Sequence, residues 1–522
     1  MADSGLDSSK LLDSSKLLDG FKLLDTPNDS STPNDSSTPN DSSTTSDNPL
    51  DALCPIDGRY GTKVDGIRQT GFTERQLILT KLSVECRWLK HLIAIVRPDG
   101  EETVKRLDDV WHSLDSIELV NRVKQIESIT NHDTKAVELA IRECLLKDAG
   151  LSEIAELCHM GLTSEDVTGA AYALMFCRVW CGVLRRDQIE LSNCLVAMAE
   201  TTVGSALMSM THGQPATPTT FGKELCVFLS RLQVCWFTKF PRTHVFVKFG
   251  GAVGSHAALC AAYPDVDWLS ACKSFVSGLQ NHEVGEEIEF RLDLCTTQIP
   301  NREWIVECLQ CLERQNLVLL DLCRDMWLYI SRNILNLKLV KNEVGSSTMP
   351  HKINPIHFEN AEGNLVIANG LIRTMTDKLL ISRMQRDLSD STVMRNLGMI
   401  FGYTTIAIKS IIVGIRRCDF NTHIALQELN NHPELISEPI QCILRKYPKD
   451  IQDPYTLLKL ITRGKPNDHD IRQHLNELLK TLQPILSQQD FQFLSTINPQ
   501  TYLGLSPQIA NTVIQEFKLF LA

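Results

Sequence analysis

No stretch of this sequence is strongly basic. Its 52 Lys and Arg are scattered, they are outnumbered by 63 Asp and Glu, and the formal charge at pH 7 is −11. Binding a nucleic acid backbone by counterion release needs a cationic stripe, so nucleic acid is not an expected partner. Phosphate-loop and dinucleotide glycine motifs are missing, as is any His/Cys/Asp/Glu cluster with convincing metal spacing, so neither a cofactor nor a metal is expected. No apolar stretch reaches the length expected of a bilayer span. The first residues carry neither the apolar segment of a signal peptide nor the Arg-rich, acid-poor composition of a transit peptide. The expectation is a cytoplasmic protein without a membrane partner. Seventeen cysteines follow no regular framework, and Cys226, Cys235, Cys260 and Cys323 lie in apolar stretches, the pattern of reduced core thiols. Cys308 and Cys311 have metal-like spacing but no second pair beside them, so core packing is their expected role.

What is present is length and helical periodicity. At 522 residues and 43% hydrophobic, the chain can bury two to four domain cores. Residues 1–48 are two runs of a six-residue repeat, DSSKLL and TPNDSS, with nine Asp against three Lys; such a segment cannot bury enough apolar surface to order itself, and a disordered tail is predicted. Residues 301–344 contain neither Pro nor Gly, and Leu319, Leu322, Met326 and Ile330 recur at spacings of three and four, which predicts one long helix with room for a break. Residues 164–203 and 221–240 repeat the pattern. Thr163 or Ser164, followed by Glu165 and Asp166, is a helix start with acids in its first turn. The predicted fold is mostly α: an N-terminal helical domain over 49–160, a central bundle of long helices over 161–412, and a C-terminal helical domain over 413–522. Helices apolar along more than one face predict association with further copies.

The most informative segment is GSSTMPHKINP at 345–355, a Ser/Pro-rich connection between two helical stretches, rich in hydrogen-bond donors and suited to closing over an anionic ligand. This string resembles the signature of the fumarase/aspartase superfamily, whose members eliminate fumarate from a substituted succinate. Further strings, CPIDGRYGTKV at 54–64, TNHDTKAVE at 130–138, LTSED at 162–166, THGQPATP at 211–218, TTQI at 296–299, FENAEGNL at 358–365 and QRDLSDSTVMRNL at 385–397, resemble the adenylosuccinate lyases of bacterial type, as do EPIQ and ITRG near the C-terminus. The resemblance covers nearly everything except the tail. It implies a homotetramer with a central helix bundle and active sites shared between subunits. It also implies two reactions in purine synthesis, adenylosuccinate to AMP plus fumarate and SAICAR to AICAR plus fumarate. Another fumarate-releasing lyase of the superfamily, or a non-catalytic helical scaffold, is the alternative.

Roles follow from the resemblance residue by residue. Ser346 is the expected general base, which takes a weakly acidic CH₂ proton beside a carboxylate, and His212 the acid that protonates the leaving nitrogen. The carbanion between those steps needs fixed donors, for which Lys352, Asn354 and the loop amides are candidates, with Ser347 and Ile353 beside them on the substrate. Arg59, Tyr60, Arg386 and the run Ser391, Thr392, Val393, Met394, Arg395 match nucleotide-binding positions. Asn131, His132, Asp133, Thr163, Ser164, Gln298 and Asn360 match other ligand contacts. The sequence departs from the family after TSED, where Val167, Thr168 and Gly169 stand in place of a segment with two Asn, and at Gly250, where Asn is common.

Overall fold

The computed structural model describes residues 52–97, 99–114, 116–237, 244–279, 288–341, 345, 347–463 and 468–521. The tail expected over residues 1–48, and Ser346, lie outside the described residues.

The N-terminal part is built on helix α1 (Glu74–Val96), whose start is capped by Thr73 Oγ1 accepting the Gln76 amide at 3.1 Å. Helices α2 (Gly100–Ser113), α3 (Ser116–Thr130) and α4 (Asp133–Leu146) close a separate small core of Leu107, Val123, Val137 and Ile141 against one face of α1. Its other face, with Val84, Trp88 and Leu92, joins the main core.

Helix α5 (Ser164–Arg178) is buried on almost every side, passes through a π turn at Val179–Leu184, and continues as α6 (Arg185–Thr201). A hairpin of β1 (Ala206–Thr211) and β2 (Gln214–Thr220) leads into α7 (Phe221–Phe237). Strands β3 (Val245–Val247) and β4 (Phe290–Leu292) pair in parallel, and then come α8 (Glu303–Ser331), β5 (Leu335–Leu337), α9 (Ile356–Leu379), the short α10 (Ser389–Met394), α11 (Leu397–Arg416) and β6 (Cys418–Phe420). The long helices form a ring: α6 packs on α7, α7 on α8, α8 on α9, α9 on α11, and α11 back on α6. Four shorter helices between Ser437 and Thr496 carry a third core around Ile440, Leu444 and Leu475, while the last helix, Ser506–Leu521, returns to α6 and α7 and buries Ala510, Ile514 and Phe517 in the main core.

Two expectations change. The helix expected across 301–344 stops at Ser331, although no Gly or Pro ends it. Asn333 takes the left-handed conformation (φ 58°), its amide donates to Ile330 O at 3.0 Å, and the Ile334 amide reaches back to Tyr329 O at 2.9 Å, a Schellman closure built on Asn. Residues 335–337 then pair antiparallel with 418–420. Two helical segments do reach the length and apolarity of a bilayer span, Ser164–Thr201 and Ser389–Arg416, but 83% and 78% of their most apolar windows are buried within the fold. Their apolarity serves the bundle core.

Cys308 and Cys311 are buried on α8, and the Cys311 thiol donates to Cys235 O at 2.7 Å. None of the seventeen cysteines is in a disulfide.

Candidate active site

The turn between α3 and α4 is tight, with Asn131 at φ 50° and His132 as the cap of α4. His132 Nδ1 accepts the Lys135 amide at 3.1 Å, so in its neutral form the ring proton sits on Nε2, on a half-exposed side chain. Asp133 is held from several sides. Its Oδ1 accepts the Thr134 amide at 2.7 Å, and its Oδ2 accepts Lys81 Nζ at 2.8 Å and Arg395 Nη2 at 3.1 Å. Burial alone would raise the Asp133 carboxyl; Lys81, the Thr134 amide and Arg395 overcome it and bring it down to about 2. Lys81, on α1, is only 1% exposed and also donates to Thr134 Oγ1 at 3.0 Å.

The start of α5 rests on a second buried carboxylate. Asp166 Oδ2 accepts the Thr163 amide at 2.7 Å, and Oδ1 accepts Lys248 Nζ at 2.6 Å and the Gly250 amide at 2.8 Å. Both charged side chains of this pair are 0% exposed. Gly250 thus reaches the acid through its backbone, and a Cβ there would lie 3.0 Å from the Gly254 Cα, so an Asn side chain would require the Gly254 backbone to give by a few tenths of an ångström. The departure after TSED is also accommodated. Gly169 lets Pro300 pack 3.1 Å from where its Cβ would be. Glu165, the remaining acid of the turn, pairs with Arg386 at 3.0 Å and with the buried Arg302 at 3.3 Å, and the Gln298 amide donates to Gln385 O at 3.2 Å, tying two loops together.

These elements surround a pocket of about 600 Å³. Of the residues expected from the sequence, Asn131, His132, Asp133, Thr163, Ser164, Gln298, Arg386, Ser391, Thr392 and Arg395 line it. Met394 is fully buried in the main core and Val393 packs against that core, so neither side chain is in the lining. Lys81, Glu165, Thr168 and Tyr172 line it too and were not expected. The one signal for Lys81 was a charge on the apolar face of α1, beside Ile78 and Leu82.

The other expected residues that are described form three further groups, none of them in this lining. Tyr60 Oη accepts Asn360 Nδ2 at 2.8 Å, with Arg59 exposed beside it. In the signature loop, Asn354 Nδ2 donates to Gly345 O at 3.0 Å, Ser347 and Lys352 are exposed, and Ile353 is half-buried. Gly345 is required there, because a Cβ would lie 2.3 Å from Lys352 O. His212 stands exposed at the tip of the β1/β2 hairpin. Thr211 pairs with Gln214, and His212 and Gly213 both have positive φ, 53° and 70°, as a type I′ two-residue turn requires.

Residues 58–370 match the family described as "Lyase", and residues 382–503 that described as "Adenylosuccinate lyase C-terminal". The chain is 39% identical over 472 residues to the adenylosuccinate lyase of Buchnera aphidicola subsp. Baizongia pistaciae, which spans 88% of this chain and 97% of that protein. The chain belongs to the adenylosuccinate lyase family. Another member, from Escherichia coli (strain K12), is 37% identical over 475 residues, 90% of this chain and 99% of that one. The fold of this adenylosuccinate lyase family member is similar to that of a fumarate lyase from Mesorhizobium sp. BNC1, with TM-score 0.68, 16% identity, and coverage of 86% of this chain and 97% of that one. It is similar also to a 3-carboxy-cis,cis-muconate lactonizing enzyme from Pseudomonas putida, with TM-score 0.65, 19% identity, and coverage of 88% and 98%. At those identities the likeness concerns the fold, which is the mostly helical one expected.

Proposed function

We propose that this chain eliminates fumarate from adenylosuccinate, giving AMP, and from SAICAR, giving AICAR, in purine nucleotide biosynthesis. The observation that carries this reading is the gathering of residues 131–133, 163–164, 298, 386, 391–392 and 395 around one pocket. Its cations Lys81, Arg386 and Arg395, with the hydroxyls of Thr163, Ser164, Ser391 and Thr392, suit a substrate bearing carboxylates and a phosphate.

The elimination is redox-neutral. Ser346 takes a proton from the CH₂ of the succinyl group, and the carbanion charge spreads onto the adjacent carboxylate. Lys352 and Asn354 supply fixed donors there. The electron pair then forms the C=C bond as the C–N bond breaks, and His212 gives the departing nitrogen its proton. A serine hydroxyl is a weak base, so its role requires donors that stabilise the alkoxide in a site closed to water. Two proton transfers and the C–N cleavage account for the whole reaction, and no cofactor or metal is part of the proposal.

We also propose a homotetramer working in the cytoplasm, with active sites shared between subunits. In one chain the described residues of the signature loop, the hairpin tip and the Tyr60/Asn360 pair are not among the residues lining the main pocket, and joining copies would bring such groups together. Bundle helices expose Val234, Leu317, Val366 and Ile367, apolar side chains that a second copy would cover. Seventeen cysteines outside disulfides suit a reducing compartment.

The test is ultraviolet-monitored turnover of adenylosuccinate with fumarate identified as product, beside Ser346→Ala and His212→Ala at equal folded concentration. Activity should fall by at least a hundredfold in each variant, roughly the contribution of one general acid or base. A folded parent that consumes aspartate or argininosuccinate but not adenylosuccinate would overturn the substrate assignment.

A further inference from the structure

Beneath Tyr60 lies a chain of hydrogen bonds with no counterpart in the residues assigned so far. Tyr60 Oη accepts Asn360 Nδ2 at 2.8 Å, Asn360 Oδ1 accepts Ser410 Oγ at 2.9 Å, and Ser410 Oγ accepts Lys63 Nζ at 3.2 Å. Ser410 is 1% exposed on α11, and its hydroxyl also lies 2.8 Å from Ile406 O. Lys63 is tied in twice more: its ammonium sits 5.7 Å from the centre of the Tyr60 ring, and its carbonyl accepts Lys409 Nζ at 2.6 Å.

An ammonium only donates, so Lys63 occupies one lone pair of the Ser410 hydroxyl, whose own proton has two acceptors in reach, Asn360 Oδ1 at 2.9 Å and Ile406 O at 2.8 Å. In the structure Asn360 presents its Oδ1 to Ser410 and its NH₂ to Tyr60. With its oxygen already accepting, Tyr60 has its phenolic proton free to point away from Asn360, toward a ligand. If the Asn360 amide turned over, its carbonyl would face Tyr60, the phenol would donate inward, and an anionic ligand would lose that donor.

We infer that Lys63 and Ser410 are positioning residues of the substrate site: they hold the Asn360 amide in the one orientation that lets Tyr60 donate to an anionic group of the substrate. This rests on the proposal that Tyr60 contacts substrate, and it adds two residues that act through others.

The test is steady-state kinetics on adenylosuccinate with the full chain, for Ser410→Ala and Lys63→Met, each alone and combined with Tyr60→Phe, with folding checked by circular dichroism. Ser410→Ala should raise KM about five- to tenfold, the loss of one hydrogen bond to a charged group, and leave kcat within about twofold. In the Tyr60→Phe background, where the phenol proton is already gone, the same substitution should change KM less than about twofold. A packing role would give the same factor in both backgrounds and would overturn the inference, as would an unchanged KM in Ser410→Ala. Lys63→Met carries the same cycle from a half-buried position if Ser410→Ala does not fold. A folded parent inactive on adenylosuccinate refutes the substrate reading, and this inference with it. An active parent with flat cycles refutes this inference alone.

Discussion

Replacing Lys248 by Met should destabilise the protein far more than a hydrogen-bond count suggests, and a second substitution should repair part of the damage. Lys248 Nζ and Asp166 Oδ1 are 2.6 Å apart with both side chains fully buried. At an effective dielectric near 20 their attraction is about 6 kcal/mol, which offsets several kcal/mol of desolvation for each ion. As a unit the pair is nearly neutral in energy. With Lys248 gone, Asp166 keeps only the Thr163 and Gly250 amides for a buried negative charge, so the variant should lose about 3–5 kcal/mol. Adding Asp166→Asn removes that charge at the expense of one amide bond, and should restore about 1–2 kcal/mol. Burial already raises the Asp166 carboxyl and Lys248 works against it, so without Lys248 the acid protonates more readily in the folded state. A carboxyl with raised folded pKa is favoured at low pH, and the Lys248→Met penalty should therefore be smaller at pH 5 than at pH 7. The assay is urea unfolding followed by tryptophan fluorescence, at one fixed protein concentration because assembly shifts apparent stability. A Lys248→Met variant within about 1 kcal/mol of the parent, or a double variant as unstable as the sum of the singles, would refute the reasoning.

Asp133 gives a prediction of opposite sign. Its carboxyl is pulled down to about 2, so its ion pairs with Lys81 and Arg395 contribute stability that is complete above the ordinary carboxyl range and is lost as pH falls through about 2. The parent should exceed Asp133→Asn by about 1–2 kcal/mol from pH 8 to 5, discounted for partial exposure, and the gap should narrow by pH 3; a gap constant to pH 3 would contradict the ion-pair account. Gly345→Ala must push the chain away from Lys352 O and break the Asn354 bond to Gly345 O. It should lower kcat/KM at least tenfold, about 1.4 kcal/mol, while thermal stability changes little, and unchanged kcat/KM would show that this loop geometry is irrelevant to turnover.

The sequence by itself determined the helical class, the starts of α5 and α8 to within a few residues, and ten of the residues around the main pocket. Periodicity and capping act over neighbours three or four positions apart, and the Thr163-Ser164-Glu165-Asp166 start needs nothing remote to be recognised. Local signals failed where a remote partner decided the outcome. Asn333 ends a helix because its left-handed turn lets residues 335–337 meet 418–420, a pairing that helical periodicity does not encode. Two apolar helices fit a bilayer by composition, and only their burial among other helices assigns them to a core. Nothing in the local sequence names a partner for Lys81 or Lys248, and it is Asp133 and Asp166, from other elements, that lie within hydrogen-bonding distance of them. The division of the expected site residues into one lined pocket and three separate groups was likewise decided by tertiary structure alone. Distance between side chains depends on how helices pack, and that is set by the whole core rather than by any one motif.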